Sequence, residues 1–347
     1  MKAAGVNMKA AVVGLGRVGF EFSQVYARDL QPASHLGCQI QLYGISNVAA
    51  CDINPHRLLK AKRYFRLEHC FRSVERLMSK FQPELVAIAT PTNTHAEIVE
   101  HIAQYSCVKT IFLEKPLATS IAEGEQILKA CRSIRLVVNF TRRWSTVYRR
   151  AKQLVASIEP VLSVIGTHPG PLLRTGTHML DLFNFLLSHD PVVVQAFGTV
   201  HKSEYMKQTD DWNINGVVTY PHVEAVLLSG PERPYVLFEL DIHGEKGRIT
   251  VTDNGLHLRV AKVEDSKNYS GLKELADYVS EHVPVLNRSL ILNAYEEIAR
   301  FSGSSSTGWD AFNCLRTALA LNWSATRKRY QCVTLDEVPK DYIVGSL

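Results

Sequence analysis

The sequence predicts an α/β protein: an N-terminal doubly wound parallel sheet followed by a C-terminal α/β domain with a mostly antiparallel open sheet. Three observations predict it. Apolar strand-like runs alternate with helical stretches as far as Asn139. A glycine-rich turn, Gly14-Leu15-Gly16-Arg17-Val18-Gly19, follows the first run. Beyond Val192, short strands succeed one another with tight-turn residues between them. At 347 residues the chain is too long for one ordinary core. The reading is therefore two domains, 1–139 and 140–347, with a last helix near 309–326 expected to pack back on the first.

Apolar residues make up 46% and charged residues 21%, the balance of a folded chain. The net charge of +5 is mild, and the basic pairs, such as Arg142-Arg143 and Arg149-Arg150, are scattered. That argues against a nucleic-acid partner while favouring a small anionic ligand. Seven cysteines, odd in number and without a C-x-x-C pair, read as reduced thiols of a cytoplasmic protein. No run approaches the roughly 18 apolar residues of a membrane span, so no membrane partner is expected. The histidines, including His35, His168 and His201, show no metal-ligand spacing, and no metal is implied.

Lys9 to Gly14 reads as a buried strand and Phe20 to about Ala27 as the helix after the glycine turn. In such a turn the first glycine permits the bend, the second lets backbone approach a pyrophosphate, and the third lets helix pack on strand. Gly14, Gly16 and Gly19, with Arg17 and Val18 between them, are thus cofactor-binding candidates. Val48 to Asp52 is a second apolar strand, and its terminal carboxylate could accept from ribose hydroxyls; alternatively Asp52 caps a helix opening at Pro55. Asp52 lies 38 residues after Gly14, beyond the usual twenty or so. The excess, Asp29 to Leu42, reads as an insertion holding a short helix capped by Ser34.

Strands Leu85 to Ala89, Lys109 to Leu113 and Arg135 to Asn139 alternate with helices Ala96 to Gln104 and Ile121 to Arg132. Open α/β sheets hold ligands beyond the C-terminal ends of their strands. Thr90, Pro91, Asn93 and His95 follow one strand there, and Glu114-Lys115-Pro116 follows the next. The charged pair fits either a ligand site or a surface turn. After Asn139 a basic helix, Thr146 to Ser157, leads to a strand at Val161 to Val164 and a helix from Thr177 to Leu187 with Leu182, Phe185 and Leu186 on one face. Strands Val192 to Val200, Ile214 to Tyr220, Val223 to Leu228, Tyr235 to Ile242, Arg248 to Thr252 and Leu256 to Val263 form a meander. Glu245-Lys246-Gly247 and Asp253-Asn254-Gly255 supply hairpin turns. Helices are expected at Gly271 to His282, Ser289 to Phe301 and Trp309 to Thr326.

GLGRVG, VAACD, ATPTNTHAEIV, LEKPLA, NFTRRW and GTHMLDLFNFL, in that order and spacing, resemble the Gfo/Idh/MocA family of oxidoreductases. The resemblance covers nearly the whole chain, with FELDIHGEKGRITVT, Phe238 to Thr252, and the helix opening Gly308-Trp309-Asp310-Ala311 also fitting. It implies an NAD(P)-binding Rossmann domain, an open-sheet substrate domain and reversible oxidation of a hydroxyl on a sugar, sugar derivative or cyclitol. It also implies a homodimer or homotetramer joined through the outer face of the C-terminal sheet. Lys115 would face the nicotinamide and the reacting hydroxyl, with the Lys115-Pro116 peptide often cis in members, and Glu114 would help fix the turn. His178 would lie at the active site. Thr90, Pro91, Asn93 and His95 would edge the nicotinamide and its ribose. Asn139, Arg142 and Arg143 would meet cofactor or substrate, a solvated basic turn being the alternative for the arginines.

The chemistry agrees with a lysine, because oxidising an alcohol removes the O–H proton as hydride leaves, and an ammonium stabilises the developing alkoxide. His178 and Asp181, three apart on a helix, share a face, so Asp181 could orient the imidazole or a substrate hydroxyl. The family's better-known pattern carries an aspartate four residues before that histidine, where this chain has Arg174. Arg174 could bind a carboxylate or phosphate on an acidic or nucleotide-linked sugar, or pair with a local acid such as Asp181. Asp52 favours NAD, while His56 and Arg57 leave NADP open. Three functions are expected to compete: a sugar or cyclitol dehydrogenase, an NAD-dependent glycosidase with transient oxidation, and a non-catalytic ligand sensor.

Overall fold

The computed structural model describes residues 8–26, 28–202, 211–230, 235–283, 289–300 and 305–345. Two compact units emerge, one of residues 1–144 with 287–312 and one of 145–286 with 313–345.

The first unit is built on β1 (Ala10–Val13), α1 (Phe22–Val25), α2 (His35–Tyr43), β2 (Val48–Cys51), α3 (Pro55–Phe65), β3 (His69–Phe71), α4 (Val74–Phe81), β4 (Leu85–Ile88), α5 (His95–Ala103), β5 (Thr110–Leu113), α6 (Ile121–Ala130) and β6 (Arg135–Val138). All six strands run parallel in the order β3-β2-β1-β4-β5-β6. The order reverses between β1 and β4, which opens a crevice at their C-terminal ends. Every residue of β1, β2, β4 and β5 is buried, as strands covered on both faces require. Each buried Val, Leu or Ile there contributes about 1.5–3 kcal/mol.

Ser34 caps α2 as expected, its side chain accepting from Gly37 N at 3.1 Å. The insertion is therefore a real helix, and it is buried along most of its length, with Leu36, Cys38 and Gln39 fully covered. The glycine turn continues into a π-helical turn, Arg17–Glu21, and then α1. The Ala27 end expected for that helix lies outside the described residues.

The second unit holds α7 (Thr146–Val155), β7 (Val161–Pro169), α8 (Thr177–Leu187), β8 (Val193–Lys202), β9 (Trp212–Thr219), β10 (Glu224–Gly230), β11 (Glu239–Gly244), β12 (Gly247–Thr252), β13 (His257–Asp265), β14 (Lys273–Leu275) and β15 (Val279–Glu281). The chain returns to the first unit in α9 (Leu290–Ala299), then enters α10 (Gly308–Thr326) and ends with β16 (Val333–Thr334). The sheet order is β14-β13-β12-β11-β7-β10-β9-β8-β16, antiparallel except for β7 with β10. Asp253, Asn254 and Gly255 all take positive φ, as a tight hairpin demands.

One expected helix is absent. Gly271 to His282 forms β14 and β15, which pair with β13. Leu272, Leu275 and Val279 are exposed at 58%, 43% and 66%, so a helix there would bury too little apolar face. The open edge of β13 offers backbone partners instead, and Tyr278 lies within 5.8 Å of Arg248 and 5.5 Å of Arg259. The end of the expected Ser289 to Phe301 helix also lies outside the described residues.

A Cβ on Gly19 would collide with the Gly14 carbonyl oxygen. Gly19→Ala is expected to destabilise the protein by about 1–3 kcal/mol, read as a lower denaturant midpoint. A midpoint equal to wild type would show that the turn relaxes freely.

Candidate active site

The glycine turn leaves β1 at the crevice. Gly14 has φ +90°, and a Cβ there would sit 2.6 Å from the Ala89 carbonyl oxygen, so the bend and its packing on β4 both require glycine. A Cβ on Gly16 would meet nothing within 4 Å, which leaves the open approach that a pyrophosphate needs. The residues present thus fit a dinucleotide. Val18 packs against the core, and Arg17 is exposed with its guanidinium 5.6 Å from the Phe22 ring.

Asp52 does not cap α3; Asn54 does, accepting from His56 N and Arg57 N. Instead Asp52 Oδ2 accepts from Leu15 N and Oδ1 from Asn54 N, each at 2.7 Å. The carboxylate pins the glycine turn to the end of β2. Each oxygen keeps a further lone pair for a ribose hydroxyl. His56 and Arg57 beyond it are exposed.

Beyond β4, Pro91 and Asn93 are exposed, and Thr94 Oγ1 bridges Thr90 Oγ1 at 2.8 Å and Pro91 O at 2.7 Å. His95, expected to edge the nicotinamide, is only 1% exposed. Its ring nitrogens face Leu117 O at 3.2 Å and Thr90 O at 3.1 Å, so it braces the loops after β4 and β5 together. Burial pushes its pKa down against the pull of those carbonyls.

Glu114 and Lys115 follow β5, and the Lys115-Pro116 peptide is cis. Glu114 Oε1 accepts from His35 Nε2 at 2.7 Å and from Asn139 Nδ2 at 2.6 Å. Burial raises the Glu114 carboxyl, but these hydrogen bonds and the nearby His35 and Lys115 outweigh it and leave it below the usual carboxylate range. Asn139, 2% exposed, is thus spent on fixing Glu114 rather than presented to solvent. His35 and Asn139 enter from α2 and from the end of β6, and neither contact shows in the order of the sequence.

Two arginines follow Asn139. Arg142 is half-buried. Arg143, expected at the substrate, is 3% exposed, donates to Ser305 O at 2.7 Å and pairs with Asp310 at 3.2 Å. Its guanidinium anchors the start of α10 within the first unit, because a buried cation needs an acid and a carbonyl for its donors.

In the second unit His178 opens α8 and is half-buried, while Asp181 is 1% exposed. Asp181 lies close enough to Tyr220 that its charge, after burial and with Cys314, pushes the phenol well up. Asp181, expected to orient the His178 imidazole or a substrate hydroxyl, is thus an interior group. Arg174 is half-buried, and its backbone N–H donates to Asp211 Oδ2 at 2.9 Å, beside Leu173 N to Oδ1 at 2.8 Å. Asp211, fully buried, was not a candidate from sequence. The acidic pair Asp210-Asp211 before a strand was the available signal, with Asp210 outside the described residues.

Residues 8–140 match the oxidoreductase family with the NAD-binding Rossmann fold, and residues 165–250 match the GFO/IDH/MocA C-terminal domain. The chain is similar to the myo-inositol 2-dehydrogenase of Thermotoga maritima, 24% identical over 263 residues that cover 70% of this chain and 74% of that protein. An inositol 2-dehydrogenase of Salmonella typhimurium is 25% identical over 209 residues, 55% of this chain and 58% of its own length, less than two thirds of that relative. A solved oxidoreductase from Agrobacterium radiobacter in complex with NAD+, L-tartaric acid and magnesium shares the fold, with a TM-score of 0.70 and 18% identity over 96% of this chain and 100% of that one.

Because the Glu114 carboxyl titrates below its unfolded value, its contribution to stability is present above the unfolded pKa and lost as pH falls through the lower folded value. Glu114→Gln should therefore cost most near neutral pH and progressively less under acid, measured by urea unfolding at several pH values. A cost that does not change with pH would mean that the carboxylate charge is irrelevant.

Proposed function

Since this chain belongs to the Gfo/Idh/MocA family of oxidoreductases and carries its NAD-binding Rossmann domain, we propose that it is a dehydrogenase of a sugar, sugar derivative or cyclitol. Hydride moves between the nicotinamide and a carbinol carbon. The observation that carries this reading is Lys115 at the C-terminal end of β5, next to a carboxylate held by two hydrogen bonds. In this reading residues 1–139 serve the cofactor, and 140–347 serve the substrate and self-association as a homodimer or homotetramer through the sheet.

Bound NAD supplies the hydride acceptor. Lys115 takes the hydroxyl proton or stabilises the alkoxide as it forms. His178, half-buried at the start of α8, is the second unit's proton-transfer group. Gly14, Gly16, Arg17, Val18 and Gly19 shape the pyrophosphate approach, and Thr90, Pro91, Asn93 and Arg142 border the cofactor. Asp52 accepts from the ribose, and its charge opposes a 2'-phosphate, so NAD is preferred to NADP. Arg174 is the candidate for an acidic substrate group, with its main chain held by Asp211. A cytoplasmic setting accompanies this reading; among the described residues no helix is long and apolar enough to cross a membrane.

The test is a titration of protein fluorescence with NADH and NADPH, followed by reduced-nicotinamide absorbance with inositols, neutral sugars, uronic acids and nucleotide sugars. NADH should bind tighter than NADPH, and at least one polyol should drive reduction of NAD; binding without turnover on any of them removes the dehydrogenase. Lys115→Ala should lower kcat by roughly two orders of magnitude or more while NADH still binds, and near-normal turnover would take Lys115 out of the mechanism. Arg174→Ala should weaken the apparent affinity for an acidic substrate and leave a neutral one nearly unchanged. Equal losses on both would make Arg174 structural.

A further inference from the structure

The inserted helix does more than fill space. Its Ser34 cap sets the phase of α2, and His35 and Gln39, four apart, then share one face. Tyr295 of α9 meets both, although it is 260 residues from His35. Phe112 of β5 lies against the two rings, 5.1 Å from each.

The hydrogen-bond polarity of this group can be worked out from one end. Ala11 O can only accept, so the Gln39 amide turns its NH2 there at 3.1 Å and gives its second hydrogen to Tyr295 Oη, also at 3.1 Å. Tyr295 Oη is thus an acceptor toward Gln39, and its own hydrogen points to His35 Nδ1, 2.8 Å away. With Nδ1 accepting, the ring proton of the neutral imidazole is on Nε2, which faces Glu114 Oε1 at 2.7 Å. Donation starts at Gln39: one hydrogen goes to β1, and the other begins a chain that runs through Tyr295 and His35 to the residue before Lys115. A histidine that faces only carbonyls, as His95 does, braces two loops; His35 ends on the carboxylate beside the proposed acid–base group.

We propose that His35 is a positioning residue for Lys115: as the Nε2–H tautomer fixed by Tyr295 and Gln39, it holds the Glu114 carboxylate in place and ionised, and so sets the charge and backbone beside the Lys115 amine. This rests on the reading of Lys115 given above. The groups that face Glu114 are His35 from α2, Asn139 after β6, the adjacent Lys115, and His95 from α5, with Tyr295 of α9 behind His35.

The experiment uses the full chain with His35→Leu, His35→Gln and Tyr295→Phe, each checked for folding by its melting transition. His35→Leu should lower kcat roughly ten- to a hundredfold while NADH affinity and substrate KM change little. His35→Gln, whose amide can still donate to Glu114, should recover much of the loss, and Tyr295→Phe, which keeps the ring packing, should lower kcat by a smaller factor. Competitive amine labelling of Lys115 across pH, read by mass spectrometry, should show a displaced half-labelling pH in His35→Leu and Tyr295→Phe, since the position and compensation of the Glu114 charge beside the ammonium then change. Wild-type kcat together with wild-type labelling in the folded variants overturns the proposal. So does a loss that His35→Gln does not relieve while labelling stays unchanged, the pattern of simple packing damage. If His35→Leu does not fold, Tyr295→Phe decides by the same two readouts. If the wild-type protein transfers no hydride to any polyol, the dehydrogenase reading fails separately, and the labelling profile still decides: a displaced midpoint supports the role of His35 and an unchanged one overturns it.

Discussion

A carboxylate taken out of bulk water has to be met by donors, and Glu114 imposes that demand on the first unit. His35 and Asn139 meet it, and each brings an element with it: α2 on one side and the end of β6 on the other. Tyr295 and Gln39 then satisfy the far side of His35, which draws α9 onto the same core. The aromatic cluster of His35, Phe112, Trp144 and Tyr295 fills the space around these polar groups. The Glu114 carboxylate and both ring nitrogens of His35 find partners in this network, and the insertion and a distant helix both end there.

The same requirement recurs at the other acids. Asp52 holds Leu15 N and Asn54 N, tying the glycine turn to β2 and fixing the backbone that a pyrophosphate would approach. Asp211 takes the N–H groups of Leu173 and Arg174 at the turn leading into α8, where a negative charge is favoured by the unpaired donors. In each case a buried carboxylate orders main chain next to a candidate functional residue, and the functional side chain itself is left partly open. Arg143 shows the reverse arrangement: its charge is consumed by Ser305 and Asp310, and it serves the scaffold.

Much of this was legible in the sequence. Continuous apolar runs identified β1, β2, β4, β5 and β6, since strands covered on both faces have no polar alternation to confuse the reading. Ser34 marked α2, and Asp253-Asn254-Gly255 marked a hairpin, because caps and turns are local chemistry. The misreading of Gly271 to His282 has the opposite cause: its local preference was helical, and the outcome depended on the unpaired edge of β13. Asp52 was recognised as important for its place at a strand end, whereas its actual backbone partners are brought together only by the turn's curvature.

The sequence by itself determined the glycine turn, the alternation of apolar strands with helices as far as Asn139, and the Glu114-Lys115-Pro116 step at the end of β5, because each depends on residues close along the chain. Only the tertiary structure decided that His35, Gln39 and Tyr295 stand behind Glu114, that Arg143 and Asp181 belong to the interior, and that Asp211 lies under Arg174. The physical reason is separation: hydrogen-bond partners of buried charges are selected by distance in space, and no local pattern records which of many distant polar residues the packing of helices will deliver.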